Sequence, residues 1–185
     1  MSAADQTRGK VVVNRAMSVD GFIAGPDDDM GWIFEHLASD PFPEVMAATG
    51  AMLAGRRTQE VGERMADGRM AGEQAGYDGG PVFVLSHRPP AQPRPGVTYL
   101  SGGLADAVAT ARAAAGSKDL EILGADLASQ CLRAGLVDEV LVYVLPVLLG
   151  DGVRLSTPGL GRVDLEPFET RRSGAVTLLR FRVRR

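Results

Sequence analysis

One cysteine and two histidines are all that this chain offers of the residues most used for metal and redox chemistry. A single thiol, Cys131, cannot close an intrachain disulfide, so no secreted disulfide framework is expected. His36 and His87 lie far apart, and no Cys/His cluster has metal-ligand spacing, which excludes a structural zinc site. Positive charge is not in excess: 20 Lys and Arg against 23 Asp and Glu leave a net charge of −3. A strongly basic nucleic-acid binder would look different. Long hydrophobic runs are missing too. The longest, Val140 to Leu149, is about half of a bilayer span and contains Pro146. The amino end, MSAADQTRGK, has no apolar core of signal-peptide length. We therefore expect a cytoplasmic protein with no metal, membrane or nucleic acid as partner.

What is present is a globular composition, 45% hydrophobic and 23% charged. The 185 residues suit one domain, which at this size buries roughly 70% of its unfolded surface and needs no staple. Residues 1–9 read as a disordered tail and 10–185 as a single domain.

Short apolar runs alternate with helix-like stretches. Residues 10–16, 51–54, 81–86, 97–100 and 120–123 read as strands. Residues 17–31 form a long loop with three glycines and a proline, and 41–50 suggest a short helix opened by Pro41 or Pro43. A helix follows Gly55-Arg56-Arg57, with Thr58 as its N-cap. Residues 65–80 are Gly-rich loop, and the proline-dense 88–96 a surface loop. Helices are expected over 103–115, stopped by Gly116, and over 126–134, ended by Gly135. Residues 136–149 are apolar enough for a strand buried on both faces. Strands near 163–172 and 175–184, joined at Ser173-Gly174, close the chain. In the last, Leu179, Phe181 and Val183 alternate with Arg180, Arg182 and Arg184, a half-buried pattern. The alternation predicts an α/β fold: a mainly parallel sheet, helices on both faces, and an antiparallel carboxyl-terminal edge.

Two places repeat one device, a buried strand running through a glycine into a helix: Leu53 to Thr58, and Ile122 to Asp126. Helix amino ends offer unpaired N–H groups and partial positive charge to phosphate, and ligands of open parallel sheets bind at the carboxyl ends of strands. Arg56 and Arg57 add fixed charge. Any such sheet has Gly junctions, however, and Asp126 reads as an N-cap. Ser86-His87-Arg88 closes the third strand, as a ribose-phosphate contact or a solvated strand end. Neither GxGxxG nor GxxxxGK[ST] occurs, which excludes a standard Rossmann or nucleotide-hydrolase site. Asp20, in the first loop, either orients a substrate amine or caps its own backbone. Asp27 to Asp29 lack calcium-loop spacing. Glu35 follows Trp32 closely, as a proton donor or as a surface acid. Cys131 reads as core.

Four stretches taken in order resemble the dihydrofolate reductase-like family, in the branch of the reductase domain of bacterial riboflavin-biosynthesis deaminase–reductases. They are Met17 to Gly25, Gly55 to Thr58, Val84 to Pro89, and the long block Gly124 to Gly152, GADLASQCLRAGLVDEVLVYVLPVLLGDG. The resemblance implies a central, mostly parallel eight-stranded sheet and NADPH as hydride donor. It implies that Gly55, Arg56, Arg57 and Thr58 hold cofactor phosphates, with Ser86, His87 and Arg88 near the adenosine 2′-phosphate. Gly124, Ala125, Asp126 and Leu127 would meet the pyrophosphate and nicotinamide side, and the backbone of Ala16 and Ile23 the nicotinamide amide. Asp20 matches the loop acid of this branch, Trp32 an aromatic lining the substrate cleft, and Glu35 is the candidate for the first-helix acid. Relatives often carry Gly-Gly where this chain has Leu123-Gly124 or Gly124-Ala125. The H-x-E and C-x-x-C motifs of the zinc deaminase half of the bifunctional enzymes do not occur, so deaminase chemistry is not expected of this sequence. The implied function is an NADPH-dependent reductase of a small heteroaromatic or carbonyl substrate. The alternative is a non-catalytic nucleotide-binding dimer of the same fold. A homodimer through the closing strands and the 146–155 loop is also implied.

Overall fold

The computed structural model describes residues 8–37, 42–67 and 80–184. Elements follow as β1 (Val11–Ser18), β2 (Phe22–Ala24), a 3₁₀ turn (Pro26–Asp28), α1 (Gly31–Phe34), α2 (Pro43–Ala48), β3 (Thr49–Gly55) and α3 (Arg56–Asp67). Then come β4 (Val82–Leu85), β5 (Val97–Leu100), α4 (Leu104–Ala115), β6 (Asp119–Leu123) and α5 (Ala125–Arg133). The chain closes with β7 (Glu139–Leu145), β8 (Val153–Arg154), β9 (Leu165–Ser173) and β10 (Val176–Val183). Eight strands form one sheet in the order β5-β4-β3-β6-β1-β7-β10-β9. β5 through β7 run parallel, and β10 and β9 add antiparallel at one edge. This is the α/β, dihydrofolate reductase-like architecture expected from the sequence.

The apolar run of β1 is explained by its neighbours. Val11 and Val13 point into a core shared with Leu53, Ile122, α4 and α5. Val12 points the other way, onto Leu141, Tyr143, Trp32, Ile33 and Phe42. With both faces covered, no polar alternation is tolerated, and each fully buried Val or Leu contributes about 1.5–3 kcal/mol. Along α4, Ala107, Ala111 and Ala115 repeat every fourth residue and are buried with Val108. That stripe of small side chains lets the helix lie close on the sheet.

Several sequence expectations are corrected. The strand expected over 136–149 is strand only from Glu139 to Leu145. Pro146 ends the ladder because it cannot donate to it, and Leu148 is 72% exposed. Within 17–31 the chain makes β2, which pairs antiparallel with β8 in a separate ribbon. Such short strands leave no periodic signal. Thr58 lies inside the first turn of α3, which starts at Arg56, and is therefore not its N-cap. In β10 the deeply buried residues are Val176 and Leu178. Arg180, on their face, is not a solvated charge. It donates to the buried carboxylate of Glu139 at 2.9 Å and to Glu169 at 3.2 Å. Lys10 Nζ reaches Glu139 at 2.5 Å from the other side, and a carboxylate this buried needs such partners. Most of the expected 65–80 loop, 68–79, and residues 1–7 of the expected tail lie outside the described residues. Gly9 is buried, its carbonyl accepting from Arg112 Nε at 3.0 Å.

Candidate functional site

The parallel strands deliver their carboxyl ends to one rim. β3 and β6 are adjacent, with Ala54 in register with Leu123, so α3 and α5 begin side by side. The contact is close. A Cβ on Gly124 would overlap Thr58 Oγ1, and a Cβ on Gly55 would stand 4.0 Å from that of Leu127. Gly124 has φ 95 and ψ 141, and no side chain caps the helix it opens. A glycine-only conformation is thus supplied by Gly124 alone, and Ala125 already belongs to α5. Gly55, Thr58, Gly124, Ala125 and Leu127 come together as one cradle.

Not every expected contact faces it in the same way. Arg56 Nη1 is bonded to Glu60, one helical turn on, at 2.5 Å. Arg57 is 74% exposed and grips Asp28. Asp126 caps nothing: it is exposed in the first turn of α5 and accepts from Gln130 Nε2 at 2.8 Å. The N-cap is Gly124 instead. At the end of β4, Ser86 is buried and its hydroxyl accepts from the Arg88 amide at 3.1 Å, while His87 and Arg88 are exposed. The Ser86 hydroxyl thereby shapes the turn that presents them.

A second group gathers where β1 and β7 end. Ala16 is in register with Tyr143 and Ser18 with Leu145. Ala16, Val147 and Leu149 pack on the cluster that contains Trp32. Trp32 is buried, and its indole N–H has no partner among the described residues. Glu35 is exposed just beyond α1. Asp20 reaches beyond its own loop. It accepts from Ser18 Oγ at 2.6 Å, from Leu149 N at 3.1 Å and from Gly150 N at 2.7 Å. The Ser18 hydroxyl bond and the two amides hold its carboxyl well below the usual range, at about 2. Ser18, fully buried, accepts in turn from Phe22 N at 2.9 Å. Ile23 is buried in β2. Gly152 sits so close to Ala24 O that a Cβ there would overlap it.

Ser129, which sequence reasoning missed, anchors the chain after β8. Its buried hydroxyl accepts from Thr157 N at 3.0 Å. A serine within an apolar helix face was the available signal. Cys131 is fully buried, and burial pushes its thiol up to about 12, so it is core and not a nucleophile. A cavity of about 50 Å³ lies at the opposite end, among Asn14, Thr49, Glu121 and Arg180 near the amino ends of the strands. It has room for a water or two, not a dinucleotide. Among the described residues no three His, Cys, Asp or Glu side chains are grouped to hold a metal, and no helix is long and apolar enough to cross a membrane.

Comparison with known proteins bears on the family and the fold. The family model described as RibD C-terminal domain matches residues 9–179. The uncharacterized protein YwjB of Bacillus subtilis (strain 168) is 25% identical over 148 residues, 79% of this chain and 82% of that one. A putative riboflavin biosynthesis protein from Shewanella sp. PV-4 superposes with TM-score 0.77 at 24% identity, covering 95% of this chain and 99% of that chain. The diaminohydroxyphosphoribosylaminopyrimidine deaminase/5-amino-6-(5-phosphoribosylamino)uracil reductase from Thermotoga maritima superposes with TM-score 0.66 at 16% identity. That match covers 97% of this chain but 58% of the other. At these identities the structural likenesses establish the fold.

Proposed function

The chain belongs to the RibD C-terminal domain family, and from that premise we propose that it is an NADPH-dependent reductase. It would transfer hydride to a small heteroaromatic substrate, pterin- or aminopyrimidine-like, or to a carbonyl. The observation that carries this reading is the cradle at Gly55, Thr58 and Gly124, where two helix amino ends meet and a Cβ on Gly124 would overlap Thr58 Oγ1. Such a cradle suits the closely approaching phosphates of a dinucleotide. Arg57, paired with Asp28, and Arg88, after the end of the neighbouring strand β4, are exposed permanent cations. NADPH, when bound, supplies the hydride. The chain's own part is to hold and orient. Backbone amides of the α5 amino end and Thr58 would take phosphate oxygens. Ala16 and Ile23 would offer backbone to the carboxamide, and Trp32 would wall the substrate cleft and exclude water.

A second reading, a nucleotide-binding dimer without turnover, is favoured by one observation. Asp20 is already held by two amides and a hydroxyl, and Glu35 is exposed. Neither is placed as an evident proton donor. Loss of NADPH absorbance on pterins, aminopyrimidines and aldehydes decides between the two. Binding without turnover on every substrate would favour the second reading. The charge of Arg57 and Arg88 also predicts preference for NADPH over NADH. Arg57→Ala should weaken NADPH binding about ten- to a hundredfold, because a lost charge-assisted phosphate contact costs on the order of 1.5–3 kcal/mol. Equal affinity in the variant would remove Arg57 from the site.

We further propose a homodimer through the closing strands and the 146–155 loop. Val19 and Leu148 are 59% and 72% exposed, and Val19 N donates to Val147 O, which sets their two loops side by side. A self-complementary interface of roughly 1,000 Å² or more would cover them. Light scattering should give twice the chain mass. Leu148→Glu should shift it to monomer or aggregate, and Arg182→Ala should leave it unchanged. A monomeric wild-type protein at micromolar concentration refutes the interface.

A further inference from the structure

We propose that Asp28 is a built-in competitor for the anion site at Arg57 and Arg64, and that it sets the affinity of that site for phosphate. The proposal rests on the reading of Arg57 as a cofactor contact and deepens it. Arg57 donates to Asp28 from Nε at 3.3 Å and from Nη2 at 3.0 and 3.2 Å. Arg64 Nη2 adds a contact at 3.4 Å from farther along α3. Two guanidiniums thus converge on one carboxylate, and a fork that fits two carboxylate oxygens also fits two phosphate oxygens.

The carboxylate and its partners are unequally placed. The Asp28 side chain is only 14% exposed, whereas Arg57 and Arg64 are 74% and 62% exposed. The cations are therefore free to turn toward a second anion, while the acid is fixed. What fixes it is a turn at some conformational cost. Asp27 and Asp28 both have positive φ, 57 and 62, unusual for consecutive non-glycine residues. The turn is clamped at its ends by Gly25 N to Asp29 O at 2.7 Å, Asp29 N to Pro26 O at 3.1 Å, and Gly31 N to Asp29 Oδ1 at 2.9 Å. Gly31 opens α1, whose next residue is Trp32. A phosphate that takes Arg57 must displace Asp28, so weakly charged ligands are rejected at these two arginines.

The test uses the full chain, titrated calorimetrically at fixed ionic strength with inorganic pyrophosphate and with NADPH. Asp28→Asn and Asp28→Gly should both bind pyrophosphate about three- to fivefold tighter, the range that loss of one exposed ion pair allows. Glycine suits the positive φ, so Asp28→Gly keeps the test open if the asparagine variant folds poorly. Asp27→Asn, an equal charge change without the contact, should not reproduce the gain. In an Arg57→Ala/Arg64→Ala background, Asp28→Asn should have no effect. Unchanged or weaker pyrophosphate binding in folded Asp28 variants overturns the proposal. If Arg57→Ala weakens NADPH binding but Asp28 substitutions change nothing, the competition fails and the cofactor reading stands. If Asp28 substitutions tighten pyrophosphate but Arg57→Ala leaves NADPH unaffected, the competition stands and the cofactor reading fails.

Discussion

Gly124→Ala is expected to cost about 2–6 kcal/mol of stability and to weaken NADPH binding by more than an order of magnitude. Two effects add. A backbone at φ 95, ψ 141 lies near a region essentially reserved for glycine, and forcing a side chain into it costs about 1–3 kcal/mol. The new Cβ also overlaps Thr58 Oγ1, and overpacking typically costs about 1–3 kcal/mol. Relief is available only if the Thr58 hydroxyl swings away, and that hydroxyl borders the cradle. The two effects separate experimentally. Gly135 also has positive φ, 66, and a Cβ there would meet nothing within 4 Å. Gly135→Ala should therefore show a positive-φ cost with no overlap added to it. Thr58→Ala should recover part of the loss in a Gly124→Ala background, since only Oγ1 stands in severe overlap and the Thr58 Cβ lies at 3.4 Å. Urea midpoints at constant m-value read each step. Additive effects of the two substitutions would show that the junctions are not in contact.

How much of this was legible beforehand depends on range. The strand-through-glycine-into-helix device is local, so both junctions could be read from Gly55 and Gly124. Their adjacency could not. It follows from β6 inserting between β3 and β1, a long-range pairing that no periodicity encodes. The same limit explains Arg180, which the alternating pattern sets on the polar face of the last strand and whose partner Glu139 is 41 residues away. It explains β2 and β8, whose pairing joins Phe22 to Arg154. Asp126 and Thr58 were misplaced for a smaller reason. Both helices begin earlier than that, α3 at Arg56 and α5 at Ala125, and in α5 the turn is started by the backbone of Gly124 and not by a capping side chain. Asp28 gave no sign of its role, because three acids beside a proline look solvated in any sequence.

Asp20→Asn should loosen the 146–155 segment and remove a stabilisation that the wild-type protein loses in acid. The carboxylate binds Ser18 Oγ, Leu149 N and Gly150 N at once, and an amide offers one acceptor oxygen where the carboxylate offers two. The two amides belong to a loop 129 and 130 residues away, so the contact ties the β1–β2 turn to the segment after β7. These bonds favour the charged form, which lowers the carboxyl from 3.8 to about 2, the Ser18 hydroxyl contributing most. The folded value lies below the unfolded one. The stabilisation is therefore complete above about pH 4, declines as the pH falls, and is gone below about pH 2. Urea midpoints of wild type and Asp20→Asn should differ most at pH 5 and converge toward pH 2. A difference that stays constant across that window would mean that shape, not charge, holds the loop. Limited proteolysis at pH 7 supplies the second readout, with faster cleavage near Asp151 expected in the variant. The same ionisation bears on the chemistry. At neutral pH Asp20 has no proton to give, so its place in a reductase is to position the loop and the wall that Leu149 shares with Trp32. A pH–rate profile for hydride transfer should keep its shape in Asp20→Asn while the substrate KM rises, and a profile that loses its acidic limb would instead make Asp20 a participant in proton transfer.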